Sequence, residues 1–313
     1  MGFEGKWTRR RFFSTVAAGA AGAAVGSSGM SAAASTSRAE QTFQIGYQIF
    51  GWGRYFPSAW WQGAEETSAI GYPGIEGEYT IAQIYEGRED EFREKMDGLN
   101  LQLSALYCTT DLERPAERYV NVYKNLKAAE FCRKMGAETL VLGGTEVEER
   151  SPEAFRIFAE VATELGKRTF ETYGVRCGIH PHRGSFIETR EHIERAMQDS
   201  DPRYFFLAPD TAHLVAGGSD PVEVFETYRS RINHVHVKDH LPDPSSPGRG
   251  SVVPLGWGAI DFPRLFEILS EERFTGWANV ELDSAVGLTQ GQVAELAFEY
   301  LVGVGLRIGT SSG

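Results

Sequence analysis

Four apolar runs in the second half of the chain end in residues that can hold a metal or move a proton. Val175 to Ile179 ends in His180-Pro181-His182, and Tyr204 to Ala208 ends in Pro209-Asp210-Thr211 with His213 just beyond. Ile232 to Val237 carries His236 and runs into Lys238-Asp239, and Trp277 to Leu282 carries Glu281 with Asp283 after it. Mixed imidazole and carboxylate donors suit Mn, Co, Zn or Fe, whereas carboxylates alone would suit Mg. If these ends meet at one axis, His180, Asp210, His236 and Glu281 form a single divalent-metal site.

The elements that must bring them together are legible as a repeating strand–helix pattern. Asp220 and Pro221 are an N-cap and a first-turn proline for a helix to Tyr228, so the run from Tyr204 to Asp239 is one βαβ unit. Earlier strands are expected at Phe43–Phe50, Gly74–Gly77, Leu101–Tyr107 and Thr139–Leu142. Helices are expected over Glu89–Leu99, Pro115–Met135, Ser151–Tyr173, Thr189–Met197, from Asp261, and over Gln290–Val302. The stretch holding Trp52, Tyr55, Phe56, Trp60 and Trp61 reads as an aromatic loop, and Leu241–Gly250 as a second loop. Eight strands alternating with helices predict an α/β fold, a single (β/α)8 TIM barrel over residues 39–313. No Gly-rich phosphate fingerprint follows the first strand, which argues against a dinucleotide fold and against a phosphorylated substrate. In such barrels the chemistry sits at the carboxyl ends of the strands, where the residues above fall.

The net charge of the 313 residues is −12, but residues 1–38 hold five basic residues against Glu4. The remainder has 26 basic and 42 acidic residues, net −16, with no basic stripe, so neither nucleic acid nor an anionic membrane is an expected partner. Thr8-Arg9-Arg10-Arg11-Phe12-Phe13, an Ala/Gly-rich middle and Ser31-Ala32-Ala33-Ala34 describe a twin-arginine export signal. This predicts a protein exported by the twin-arginine route to the periplasm or another extracytoplasmic space. Cys108, Cys132 and Cys177 fit neither a zinc clip nor a disulfide framework and are expected as buried thiols.

Taken together, Asp210-Thr211-Ala212-His213, His234-Val235-His236-Val237-Lys238-Asp239, Val253 to Phe262 (VPLGWGAIDF) and Val280-Glu281 resemble the xylose isomerase-like barrels. That family includes sugar isomerases, sugar epimerases and inosose dehydratases. The resemblance covers about residues 43–303 and is strongest from Val175 to Asp283. It implies that Asp210, His236 and Glu281 bind a divalent metal and that His213 and Lys238 contact substrate oxygens. It also marks a departure: the isomerases and epimerases have a Glu where His180 stands, and His180-Pro181-His182-Arg183-Gly184 is nearer the inosose dehydratases.

A proton beside a carbonyl leaves only if the developing enolate charge is neutralised, which a chelating cation does. Glu281 or His182 is then the candidate base and Lys238 or His213 the candidate acid. Trp52, Glu76, Arg183 and Trp257 are expected at the substrate, a small carbohydrate or cyclitol. The leading expectation is a metal-dependent isomerase or epimerase that enolises a keto-sugar, with an inosose dehydratase-like lyase close behind. A phosphodiesterase is disfavoured by the acidic charge, and an exported sugar-binding protein is the non-catalytic reading. Whether the chain forms a homo-oligomer is left open.

Overall fold

The computed structural model describes residues 39–53, 56–147, 150–243, 245, 250–282 and 287–309. The expected export signal, Tyr55 and Asp283 lie outside the described residues. Eight parallel strands form one sheet: β1 Gln44–Gln48, β2 Gly74–Glu78, β3 Gln102–Thr109, β4 Thr139–Gly143, β5 Arg176–Ile179, β6 Phe205–Leu207, β7 His234–Val237 and β10 Trp277–Val280. Their order is β6-β5-β4-β3-β2-β1-β10-β7, and the parallel bridges Leu207 to Ile232 and Asp210 to His236 join the two ends. The sheet is thus a closed parallel α/β barrel. The remaining strands, β8 Asp239–Pro242 and β9 Gly250–Val253, pair as an antiparallel hairpin after β7.

Helices α1 Phe50–Gly53, α2 Pro57–Ile70, α3 Tyr79–Ile84, α4 Glu89–Gly98, α5 Arg118–Met135, α6 Pro152–Tyr173, α7 Arg190–Asp199, α8 Thr211–Ala216, α9 Pro221–Tyr228, α10 Phe262–Glu271 and α11 Gln290–Gly303 connect the strands. The main core lies between sheet and helices, with Phe92, Phe158, Phe225 and Phe266 fully buried in it. Inside the barrel the apolar residues are few and small, Ala105, Val141 and Ala208, with Tyr107 packed on them. Small side chains leave room for a polar interior. At Gly46 even a methyl group would come within 2.3 Å of Asn279 Oδ1.

Three expectations need correction. The aromatic stretch is not a loop, because Pro57 starts α2 and Gly71, in the left-handed region, ends it. Trp60 and Trp61 are buried on that helix, edge to face 4.7 Å apart, with Trp61 Nε1 donating to Tyr85 Oη at 2.8 Å. Asp210 begins a helix, α8, where the strand was expected only to stop. The Leu241–Gly250 loop lies across the β8–β9 hairpin, whose strands take up its two ends. Asp239 fixes the segment that follows: its Oδ2 accepts from Gly256 N at 2.9 Å and Gly258 N at 2.8 Å.

Candidate metal centre and active site

The period-2 alternation of a strand sends Glu76 and Glu78, His234 and His236, and Asn279 and Glu281 toward the barrel axis. Glu76 is fully buried there. Its carboxylate accepts from Gln48 Nε2 at 3.0 Å, from Asn279 Nδ2 at 2.9 Å, and contacts His234 Nε2 at 2.7 Å and His236 Nε2 at 2.8 Å. A carboxylate beside an imidazole nitrogen favours the tautomer with the proton on that nitrogen. His236 is therefore held with Nε2–H toward Glu76 and Nδ1 toward the mouth of the barrel.

Asp210 is the N-cap of α8, and this divides its two oxygens. Oδ1 accepts from His213 N at 2.8 Å, while Oδ2 is left for the axis. Lys238, also fully buried, places Nζ 3.1 Å from Asp210 Oδ2 and 2.9 Å from Glu281 Oε1. Glu281 Oε2 lies 2.6 Å from His236 Nδ1, yet neither atom makes a hydrogen bond of acceptable geometry. Asp210 Oδ2 and His180 Nδ1 are likewise buried without one. His180 Nδ1 is buried without a partner, and Asp210 Oδ2, His236 Nδ1 and Glu281 Oε2 beside it have only ion-pair contacts, an arrangement that is costly unless something fills the space between them.

A divalent cation fits that space. Asp210, His236 and Glu281 offer donor atoms all within 4.8 Å of one another, and His180, Asp210 and His213 do the same. The donor set is the mixed nitrogen and oxygen kind that suits Mn, Fe, Co or Zn. Glu76 supplies the outer carboxylate that orients a ligating histidine.

The electrostatics agree. Burial pushes His180 well below its usual range, and neighbouring His236 and His213 push the same way, so it is a neutral donor. Burial works against charge on His236 too, but Glu76 and Glu281 outweigh it and hold that ring well above the usual range. Burial opposes ionisation of Glu76 and Glu281 as well. His236 and His234 nevertheless bring Glu76 down to about 2, and Lys238 and His236 hold Glu281 well below the usual carboxylate range. Asp210 goes up, because burial prevails over the pull of Lys238.

Above this cluster a cavity of about 290 Å³ opens at the mouth, lined by His180, His182, Arg183, Glu281, Tyr107 and Glu78 among others. His182 and His213 lie against each other, ring centroids 3.9 Å apart and planes tilted by 46°. A larger hollow of about 680 Å³ at the amino ends of the strands carries none of the residues singled out for chemistry.

Of the residues expected at the substrate, Arg183 lines the cavity and Glu76 does not. Glu76 lies beneath it with both oxygens engaged, so it cannot be a substrate contact and instead holds His236. Trp52 also faces elsewhere, donating from Nε1 to Glu66 Oε2 at 3.0 Å and packing edge-on to Tyr47. Trp257 is 54% exposed after the hairpin and does not line the cavity. Lys238 sits behind the wall between two carboxylates. Reading the sequence missed Tyr107 and Glu78, although each stands at the carboxyl end of a strand, which is the signal that found the others.

Residues 64–301 match the family model described as xylose isomerase-like TIM barrel. An inosose dehydratase of Clostridium beijerinckii is 27% identical over 249 residues, spanning 71% of this chain and 81% of the relative. Two solved structures share the fold. A xylose isomerase-like TIM barrel protein from Mycobacterium smegmatis in complex with magnesium has a TM-score of 0.71 at 19% identity, covering 84% of this chain and 96% of the other. A 3-keto-D-glucoside 4-epimerase from E. coli has a TM-score of 0.67 at 16% identity, covering 83% and 99%.

Proposed function

We propose that this chain, which belongs to the xylose isomerase-like TIM barrel family, is a divalent-metal-dependent dehydratase acting on an unphosphorylated keto-cyclitol or a similar keto-sugar. The observation that carries this reading is the convergence of His180 Nδ1, Asp210 Oδ2, His236 Nδ1 and Glu281 Oε2, all buried, next to the mouth cavity that His180 and Glu281 line. A cation held by these residues would supply Lewis-acid polarisation of the substrate carbonyl.

The protein's own groups do the rest. His182 Nδ1 lies 2.8 Å from the Arg183 carbonyl oxygen. A carbonyl oxygen only accepts, so Nδ1 carries the proton and Nε2 is the basic nitrogen of the neutral ring. His182 lines the cavity and is the candidate base for the proton next to the carbonyl. Lys238 compensates the charge of Asp210 and Glu281 from behind, and Arg183 offers donors to substrate oxygens at the rim.

Dehydration is preferred to epimerisation for two reasons, which reverses the order of the two readings drawn from the sequence. Epimerisation by opposed carboxylates needs a carboxylate at the position of His180, where this chain has a buried imidazole whose Nδ1 has no hydrogen-bond partner. The inosose dehydratase relative spans most of the chain. The non-catalytic sugar-binding reading loses its support, since Trp60 and Trp61 are core residues and Trp52 is turned away from the cavity. The test is incubation of the metal-loaded protein with an inosose and with keto-hexoses, followed by mass spectrometry. A product lighter by one water supports the dehydratase. A product of unchanged mass and altered stereochemistry identifies an isomerase or epimerase instead.

A further inference from the structure

Tyr107 lies on the inward face of β3, two residues before its end, and packs between the candidate ligand rings, with its centroid 5.4 Å from His180 and 6.3 Å from His236. It lines the mouth cavity. The backbone beside it is shaped to admit its hydroxyl. At Gly143, on the adjacent strand β4, a Cβ would stand 1.7 Å from Tyr107 Oη. No side chain can occupy that position while the phenol keeps its place.

We propose that Tyr107 is a catalytic residue whose phenol donates to, and then protonates, the substrate oxygen that departs as water. This inference rests on the dehydratase reading and deepens it. The base takes the proton beside the carbonyl, and that C–H electron pair becomes the new C=C bond. The C–O bond at the next carbon breaks with its electron pair on oxygen, and the Tyr107 proton converts the leaving hydroxide to water. The proton held by the base returns to the phenolate through solvent in the open cavity, so the protein ends as it began.

The test uses the full metal-loaded protein and two variants, Tyr107→Phe and Gly143→Ala. Tyr107→Phe keeps the ring on His180 and His236 and removes only the hydroxyl. Gly143→Ala keeps the hydroxyl and displaces it. Three quantities are read: water loss from an inosose, solvent-deuterium uptake beside the carbonyl of recovered inosose, and calorimetric affinity for unreactive myo-inositol. In both variants water loss should fall by about 100-fold, the scale of a lost general acid, while deuterium uptake stays within about threefold. Metal content should not change, and inositol affinity should weaken several-fold.

Water loss near the wild-type rate in Tyr107→Phe overturns the proposal. So does a joint loss of exchange, elimination and metal, which would show that the hydroxyl supports the ligand cluster and not the leaving oxygen. If wild-type protein exchanges deuterium but never loses water, the dehydratase reading fails by itself. Tyr107 is then judged by calorimetry, where unchanged inositol affinity in Tyr107→Phe refutes the contact.

Discussion

Glu76→Gln is the substitution whose cost can be worked out most fully. The two carboxylate oxygens divide the surrounding groups. Gln48 Nε2 lies 3.0 Å from Oε1, while His234 Nε2 and Asn279 Nδ2 lie 2.7 Å and 2.9 Å from Oε2. His236 Nε2 reaches both, at 3.0 Å and 2.8 Å. Whichever oxygen becomes the amide NH2, it then faces groups that donate, and no bulk water reaches this fully buried position to relieve it. A hydrogen bond to a charged group contributes about 1.5–3 kcal/mol. Losing two of them, and leaving the imidazoles without a buried counter-charge, should cost about 3–5 kcal/mol of stability. For a chain of this size that is a fall of about 5–9 °C in Tm. The same change frees the His236 ring to rotate, and loss of such an outer carboxylate lowers metal affinity by about 10–100-fold. The assay is calorimetric titration of chelator-treated protein with zinc, beside thermal unfolding with and without the metal. A folded Glu76→Gln protein that binds zinc within about twofold of wild type would refute the role given to Glu76.

Other substitutions separate the parts of the site. Asp210→Asn keeps a capping side chain for α8 but removes the charge, so metal content after purification should collapse while circular dichroism stays that of the wild type. His182→Gln should lower turnover by about 100-fold or more with metal content intact, since His182 is assigned as base and not as ligand. Metal uptake should release about one proton at neutral pH. The reason is that Glu76 and Glu281 overcome burial and keep His236 protonated in the metal-free protein, whereas a ligating Nδ1 must be bare. Affinity should therefore rise with pH until His236 loses its proton in the metal-free state. Titrations in two buffers of different ionisation enthalpy read the proton count, and zero protons released would contradict the assignment.

The sequence displayed most of this molecule because parallel strands buried on both faces are continuous apolar runs, and helices between them carry caps. Asp220-Pro221 and Ser151-Pro152 start α9 and α6 where expected. The candidate metal cluster was legible for the same reason: His180, Asp210, His236 and Glu281 each follow or end such a run. What stayed hidden depended on a third dimension. Trp60 and Trp61 look alike whether they line a loop or pack a helix, and only the docking of α2 on Phe92 decides between them. Glu76 was found as a strand-end carboxylate, but the sequence does not tell that β2 extends to Glu78 and leaves Glu76 below the floor of the cavity. Tyr107 passed for an ordinary aromatic strand residue because its significance lies in the absence of a side chain at Gly143, on another strand.

The most direct measurement of the central claim is solvent-deuterium exchange into an inosose by the metal-loaded protein, with and without a chelator. Exchange beside the carbonyl that stops with chelator and returns on adding Mn or Zn is the expected result, with a dehydrated product accumulating alongside. Undiminished exchange after complete metal removal, or no exchange by the loaded protein, would contradict the account of a metal-assisted enolisation at His180, Asp210, His236 and Glu281.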